Sequence, residues 1–410
     1  MNSFIQRLLI FIFPFFPFWA WLLSFLTEKS FELFCTLLFL PFSIYFLVNQ
    51  KKALPTYLIF FILFTVFHIS SAFINNATPA NVNWIYFILS DVNVLACILL
   101  VILENTEFEG IFIKRLNKYI FCIAIVSLIC SLIQVKDPAF FFRISGDPEW
   151  GLGYIEESRN YSIYSWINYH SLGISFPILI SILLSQYIID AKSNYKLITV
   201  LIIGFIVCFL SRYRFAIISA LIVSSQLMFI KFRNKLSLFT IAIVSIVAIA
   251  YVAEMAGFEI EDVVNNRILE KGSDMGSAKA RILSYDVFLL KFPENPLLGV
   301  GPATRQDVVD LLGGETPIIH IGYLSYLYYY GVFGISLLLI SLFLLLKRAW
   351  LVGRLTTFWG SFFGLISFCL ANVSFVYFNF SEMGIILSVI YLRYYNCKTS
   401  LPMERKHQCI

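Results

Sequence analysis

The chain is built mostly from apolar stretches long enough to cross a bilayer, separated by short polar connections. A transmembrane helix needs about 20 predominantly apolar residues. Hydrophobic residues make up 59% of this chain and charged residues 13%, whereas soluble domains have about 45–50% and about 25%. These values exclude a soluble globule, a disordered chain, a disulfide-framework protein and a nucleic-acid-binding domain. They predict an all-α polytopic membrane protein.

We predict about twelve transmembrane helices from the length of these stretches. The first stretch, Phe4 to Leu26, has no small-residue cleavage site before Glu28, so we interpret it as a span and not as a signal peptide. The predicted spans are 4–26, 30–48, 55–74, 84–103, 119–136, 169–189, 197–210, 215–230, 236–253, 323–346, 355–376 and 384–396.

Lysine and arginine cluster in alternate connections, which indicates the cytoplasmic side of the membrane. With both termini cytoplasmic, every cluster falls on that side, and most of the net charge of +5 is therefore topological. The clusters are Lys51 and Lys52; Lys114, Arg115 and Lys118; Lys192 and Lys196; Lys231, Arg233 and Lys235; Lys347, Arg348 and Arg354; and Lys398, Arg405 and Lys406.

This orientation divides the chain into five parts. Residues 1–136, 169–253 and 323–410 are predicted to hold transmembrane helices, and the last of these ends in a cytoplasmic tail. Residues 137–168 and 254–322 are predicted outer loops, and neither contains a cysteine. We therefore expect no disulfide framework on the outer side.

Two arginines stand in a short connection that the charge rule places on the outer side, Ser211-Arg212-Tyr213-Arg214. The 34 residues from Leu197 to Ile230 are fewer than the roughly 40 that two full spans need. One continuous span would invert every later loop against the charge rule, so we predict a hairpin with its tip at membrane depth. Its guanidinium groups either bind phosphate or extend to lipid headgroups.

The segment from Ala278 to Phe292 is predicted to form an amphipathic helix on the outer membrane face. Its apolar residues recur at helical spacing, and Arg281 is expected to project from its polar side. The alternative is a plain interfacial helix with solvated charges. The Gly299-Val300-Gly301 that follows lacks the strand and the Lys of a phosphate loop, so it predicts a tight turn. The apolar residues are Ile282, Tyr285, Leu289 and Phe292.

Two of the four histidines, His170 and His320, are expected at the outer membrane surface, where a neutral imidazole can take a proton from a hydroxyl nucleophile. We interpret the other two, His68 and His407, as structural. No carboxylate cluster with metal-ligand spacing accompanies them, so the sequence predicts no metal site.

Four segments of the chain occur in an order that resembles the bacterial O-antigen polymerase and O-antigen ligase superfamily. They are Arg143-Ile144-Ser145-Gly146 with Asn168 and His170 downstream; Ser211-Arg212; Ala280-Arg281-Ile282-Leu283 followed by Pro296 to Gly301; and His320 followed by Gly331 and Gly334. Together with the hydropathy pattern, these segments cover most of the chain from about residue 140 onward.

The resemblance implies a GT-C-like fold in the bacterial inner membrane and a metal-independent glycosyltransferase without a cofactor. Its donor would be an undecaprenyl-diphosphate-linked oligosaccharide, transferred at the periplasmic face, and a polysaccharide chain-length regulator is a possible partner. By resemblance, Arg281 and His320 are catalytic: Arg281 holds the diphosphate with Arg212, and His320 activates the acceptor hydroxyl. The further substrate-binding candidates are Arg143, Asn168, His170, Arg214 and Arg267.

Three functions follow in order of preference. The first is an O-antigen polymerase, which joins lipid-linked repeat units. The second is an O-antigen ligase, which transfers the glycan to lipid A-core. The family often has His-Asn, whereas His320 is followed by Ile321, and this favours the polymerase. The third is a polysaccharide flippase or transporter, which predicts charges within spans and two related halves that the sequence lacks.

Overall fold

The structure is a computed structural model, and it describes only part of the chain. The described residues are 54–75, 108–137, 171–189, 194–211, 214–229, 276–302, 305–312 and 321–374, with the single positions 4, 7, 41, 42, 44, 45, 48, 88, 140 and 319.

Every regular element in these ranges is a helix, which confirms the all-α class for the described part of the chain. Three of the helices are long and apolar enough to cross a membrane. The α-helices are α1 (Thr56–Ile74), α2 (Phe108–Lys136), α3 (Ser171–Ile189), α4 (Asn194–Leu210), α5 (Arg214–Ser224), α6 (Gly276–Lys291), α7 (Gln306–Leu311), α8 (Gly322–Thr356) and α9 (Gly360–Ser374).

Seven of these helices overlap seven of the twelve predicted spans, and α6 and α7 lie within the predicted outer loop 254–322. A short 3₁₀ turn, Ser225–Phe229, continues α5, and another, Phe292–Glu294, follows α6. The predicted spans 4–26, 30–48, 84–103, 236–253 and 384–396 lie almost entirely outside the described residues.

Helices α1 and α8 run antiparallel along a shared interface. The hydroxyl of Ser341 donates a hydrogen bond of 2.8 Å to the carbonyl of Tyr57 near one end. Near the other end, His68 of α1 faces Tyr330 of α8. The start of α1 therefore lies beside the second half of α8, as expected of two spans that cross a membrane in opposite directions.

Helix α9 connects this pair to the rest of the bundle. The hydroxyl of Tyr323 in α8 donates to the carbonyl of Cys369 in α9 at 2.9 Å. On its other side, α9 packs against α3 so closely that a Cβ on Gly360 would lie 2.6 Å from the carbonyl oxygen of Ser181. Helix α3 contacts α4 and α5, and α4 contacts α2. One continuous apolar core therefore runs through the helices that overlap predicted spans.

Candidate functional site

Helix α6 presents one face to the protein and the opposite face to its surroundings. The buried face carries Ser284, Val287 and Phe288, which are at most 5% exposed. The exposed face carries the apolar residues Ile282, Tyr285, Leu289 and Leu290. Three of these residues, Ile282, Tyr285 and Leu289, recur at the helical spacing from which an amphipathic helix was predicted.

Arg281 lies on the buried face of α6, because it precedes Ser284 by three residues and Phe288 by seven. Its side chain is half-buried. This position places Arg281 away from the exposed apolar residues Ile282 and Leu290. That Arg281 projects from the polar side of the helix stays a prediction. Ser284 is small and fully buried, so α6 packs closely at this point.

A second group of charges lies at the other end of α6, where four side chains form a closed ion-pair cluster. Lys291 contacts Asp307 at 2.7 Å and Glu294 at 3.0 Å. Arg305 contacts Asp307 at 3.2 Å and Glu294 at 3.5 Å. The hydrogen bond to Asp307 raises the pKa of Lys291, and the same bond lowers the pKa of Asp307. These two cations are already neutralised by acids, which distinguishes them from Arg281 as candidates for binding an anion.

The segment that follows α6 docks on α8 at a point where that helix is interrupted. The residue at the break is Gly331, with φ +61° and ψ −172° inside an otherwise helical segment. A continuous helix would pair the N–H groups of Val332 and Phe333 with the carbonyls four residues earlier. At the break, these N–H groups and carbonyls are turned toward the segment from Pro296 to Gly301 instead.

Four main-chain hydrogen bonds connect the two segments, and we call this contact the glycine junction. The bonds run from Val332 N–H to Pro296 O (2.9 Å), Phe333 N–H to Leu297 O (3.1 Å), Val300 N–H to Tyr328 O (3.3 Å) and Gly301 N–H to Tyr329 O (2.9 Å). The N–H groups of Val332 and Phe333 and the carbonyls of Tyr328 and Tyr329 are therefore satisfied by the docked turn, as buried main-chain groups require.

Glycine is needed on both sides of the junction. Gly299 has φ +73°, and a Cβ there would lie 2.3 Å from the carbonyl oxygen of Tyr329. A Cβ on Gly331 would lie 2.3 Å from the carbonyl carbon of Leu297. Any other residue at either position would meet main-chain atoms that cannot rotate away, in addition to the cost of a left-handed conformation.

The junction joins the third and fourth segments on which the resemblance rests. Arg281 and the Pro296–Gly301 turn belong to the third segment, and Gly331 belongs to the fourth. Helix α6 also contacts α8 directly. The structure therefore connects the helix that carries Arg281 to the helix that His320 precedes in the sequence.

His320 itself lies outside the described residues, but its two sequence neighbours are described. Ile319 is fully buried, and its carbonyl accepts a hydrogen bond from the Ser325 hydroxyl. Ile321 caps the start of α8, where its carbonyl accepts from the Ser325 N–H at 2.8 Å. Ser325 thus holds the main chain on both sides of position 320.

The remaining predicted site residues are described only in part or not at all. Arg214 is the first residue of α5, and the structure describes its backbone alone. Outside the described residues lie Arg143, Asn168, His170, Arg212 and Arg267.

Helices α4 and α5, which flank the arginine pair, lie side by side. Helix α4 ends at Leu210, and Ser211 turns its hydroxyl back to the carbonyl of Cys208 at 2.6 Å. Leu201 of α4 and Ser224 of α5 line the same small crevice, which a single continuous helix would not allow. At the tip, Leu210 packs against Val135 at the end of α2. The end of α4 that precedes the arginine pair therefore lies beside the end of α2.

His68 was predicted to be structural, and nothing in the sequence connected it with the site. In the structure, its Nδ1 lies 2.7 Å from the hydroxyl of Tyr330, the residue that precedes the break in α8. The only sequence signal for this contact is the run of three tyrosines before Gly331. A pairing between helices 262 residues apart leaves no local pattern.

The chemistry available in the described part is that of a cation, Arg281, on a helix whose following turn is fixed by the glycine junction. Arg281 offers a planar set of N–H donors suited to a phosphate. Among the residues that the structure describes, no group of three or more histidine, cysteine, aspartate or glutamate side chains could hold a metal ion.

In the part of the chain that the structure describes, these features define an all-helical, strongly apolar protein in which the helix of Arg281 is joined to an interrupted span. Residues 199–339, which include the arginine hairpin, α6 and the glycine junction, match the family model described as O-antigen ligase. Over this segment, the match confirms the resemblance to the O-antigen ligase and polymerase superfamily. Members of that family are glycosyltransferase-like enzymes that act on lipid-linked glycans. A search of curated proteins finds no significant match.

Proposed function

We propose that this protein is an O-antigen polymerase that joins undecaprenyl-diphosphate-linked oligosaccharide repeat units at the periplasmic face of the inner membrane. The observation that carries the proposal is the glycine junction. It connects the helix of Arg281 to the start of α8, directly after His320 in the sequence. A group for the leaving diphosphate and a group for the acceptor hydroxyl are thereby supported by one rigid unit.

In this proposal, transfer is a single displacement at the donor sugar. The acceptor hydroxyl oxygen attacks the anomeric carbon while the bond from that carbon to the phosphate oxygen breaks. The hydroxyl proton passes to His320, and the lipid diphosphate leaves with the negative charge. Arg212, Arg214 and Arg281 stabilise that charge, which is greatest as the bond breaks.

The glycan would be held by residues from both outer loops. We assign this role to Arg143, Asn168, His170 and Arg267. Three of them belong to the loops that the charge rule places on the same side as the arginine hairpin, and His170 closely follows the first of these loops. Lys291 and Arg305 are omitted from the substrate site, since their charges are matched by Asp307 and Glu294.

The exposed apolar face of α6 supports a position at the membrane surface. Ile282 and Leu290 are 64% and 62% exposed, and Leu297 of the following turn is 69% exposed. We propose that this face rests on the outer leaflet, as amphipathic interfacial helices do. Arg281, on the opposite face, would then stand at the depth of a lipid diphosphate.

A ligase is the alternative, because the family covers both ligases and polymerases. The polymerase is preferred because Ile321 stands where the family often has asparagine. Deleting the gene and resolving the lipopolysaccharide on a gel separates the two. Core with a single repeat unit and no ladder indicates a polymerase, bare core indicates a ligase, and an unchanged ladder contradicts both.

Complementation of the deletion strain then tests the site. Variants with Arg212→Ala, Arg281→Ala or His320→Ala are each expected to reach the membrane at the normal level and to leave the ladder absent. Full ladders from all three variants would contradict the assignment of these residues.

A further inference from the structure

Tyr330 and His68 form a hydrogen-bonded pair between α8 and α1. The Tyr330 hydroxyl lies 2.7 Å from Nδ1 of His68. Tyr330 is 2% exposed, so its hydroxyl needs a protein partner, and His68 supplies one. The pair therefore fixes α1 and α8 relative to each other at this height.

Aromatic rings surround the pair and restrict its movement. Phe64 meets the Tyr330 ring edge to face at a centroid distance of 5.4 Å, and the Tyr326 ring lies at 5.4 Å. Gly334 packs against Phe67 so tightly that a Cβ there would approach the Phe67 ring to 2.5 Å. The interface leaves Tyr330 little freedom other than the hydrogen-bonded position.

The pair adjoins the glycine junction. Tyr330 immediately precedes Gly331, and the two residues before Tyr330 supply the carbonyls that accept hydrogen bonds from Val300 and Gly301. A rotation of Tyr330 would turn these carbonyls away from the docked turn, because the three tyrosines belong to one helical turn.

We propose that His68 and Tyr330 are a positioning pair for the transfer reaction, an inference that rests on the proposed function. The pair fixes the main chain before the Gly331 break and so keeps the glycine junction closed. The closed junction holds α6, with Arg281, at a fixed distance from the start of α8. Neither residue touches the reacting atoms in this proposal, and each acts through the main chain of the junction.

The test compares two hydrogen bonds between the same two helices. Tyr330→Phe removes the hydroxyl beside the junction, and Ser341→Ala removes a hydroxyl that bonds to the Tyr57 carbonyl further along the interface. Two further variants change the partner. His68→Asn keeps a polar atom close to the position of Nδ1, whereas His68→Leu does not.

Polymer per molecule of membrane protein is the first readout. We expect Tyr330→Phe and His68→Leu to lower it about five- to tenfold, because each removes the hydrogen bond that joins α1 and α8 beside the junction. Ser341→Ala is expected to stay within about twofold of wild type, and His68→Asn to recover most of the activity. Equal losses in Tyr330→Phe and Ser341→Ala, or none in Tyr330→Phe, would overturn the proposal.

Hydrogen exchange of the purified full-length protein is the second readout, and it does not depend on the reaction. Tyr330→Phe should speed exchange at the amides of Gly301, Val332 and Phe333, whereas Ser341→Ala should leave them unchanged. Unchanged exchange in Tyr330→Phe overturns the positioning role. If exchange responds while Arg281→Ala and His320→Ala keep full ladders, the proposed function fails and the control of the junction by the pair stands.

Discussion

Gly299 and Tyr329 meet main chain to main chain: a Cβ on Gly299 would lie 2.3 Å from the Tyr329 carbonyl oxygen. The contact brings together the main chains of two segments that are 30 residues apart in the sequence. It exists because α8 is interrupted at Gly331, which leaves main-chain groups available for another part of the chain. Both the docking of α6 and the course of α8 therefore depend on glycine at these positions.

Alanine at Gly299 or at Gly331 should open the junction. Each change introduces a main-chain clash and a left-handed residue with a side chain, and we expect a loss of at least about 2 kcal/mol of stability and of the polymer ladder. Gly110→Ala is the matched control, since a Cβ there meets nothing within 4 Å. Thermal unfolding in detergent measures all three variants. A Gly299→Ala protein that unfolds at the wild-type temperature would contradict the assigned role of the junction.

Replacing Arg281 should lower the amount of polymer, whereas replacing a cation of the ion-pair cluster should not. We expect Arg281→Ala to reduce polymer at least about 100-fold, as loss of a group that stabilises developing charge does, and Arg281→Lys to retain a fraction of it. Arg305→Ala is the control, because Arg305 is paired with Asp307 and Glu294. The ladder on a gel, normalised to membrane protein, is the measurement. Equal losses from Arg281→Ala and Arg305→Ala would show that Arg281 acts only through its positive charge and not through its position.

The ion-pair cluster should contribute constant stability across neutral pH. The lowered pKa of Asp307 stabilises the fold above the ordinary carboxyl pKa, about 4, and the effect is lost as pH falls through the lowered value. The raised pKa of Lys291 stabilises below the ordinary ammonium pKa, about 10.4, and the effect is lost as pH rises through the raised value. Between about pH 5 and 9 both contributions are therefore complete.

Asp307→Asn tests this window. We expect the variant to lower the unfolding temperature by about 2 °C or less, because the pairs are solvent-exposed. The difference from wild type should be equal at pH 5.5 and at pH 8.5, and smaller in high salt. A difference that changes sign or doubles between these pH values would show that another titrating group controls the contact.

Reporter fusions should give opposite results in the connections before and after α8. A periplasmic phosphatase fused after Asn295 is expected to be active, and one fused after Thr357 is expected to be inactive. The expectation follows from the lysines and arginines at the end of α8, Lys347, Arg348 and Arg354. Activity after Thr357 without activity after Asn295 would invert the proposed orientation and place Arg281 in the cytoplasm.

The seven described helices that overlap predicted spans were predictable from sequence because length and apolarity alone determine a span. The hairpin between α4 and α5 was predictable because a continuous helix conflicts with the positions of lysine and arginine further along the chain. The helical spacing of Ile282, Tyr285 and Leu289 likewise predicted the exposed apolar side of α6.

The glycine junction was not predictable in the same way. Its bonds join main-chain groups, which every residue possesses, so the sequence records only the glycines that make room for them. The burial of Ser284 was not predictable either, because a polar residue on a buried face departs from the apolar pattern. The pairing of Lys291 and Arg305 with acids depends on how α7 folds back toward the end of α6, which charge counting does not show.

The interruption of α8 also affects which insertions the protein can tolerate during evolution. Because main-chain bonds hold Gly301 to Tyr329, the residues between them form a loop whose ends stay together whatever the loop contains. Doubling the length of a closed loop costs only about 0.6 kcal/mol. Insertions between residues 312 and 318, after α7, are therefore expected to leave in place the framework that holds Arg281. Under the proposed function, such insertions are where glycan specificity is expected to change without a new fold.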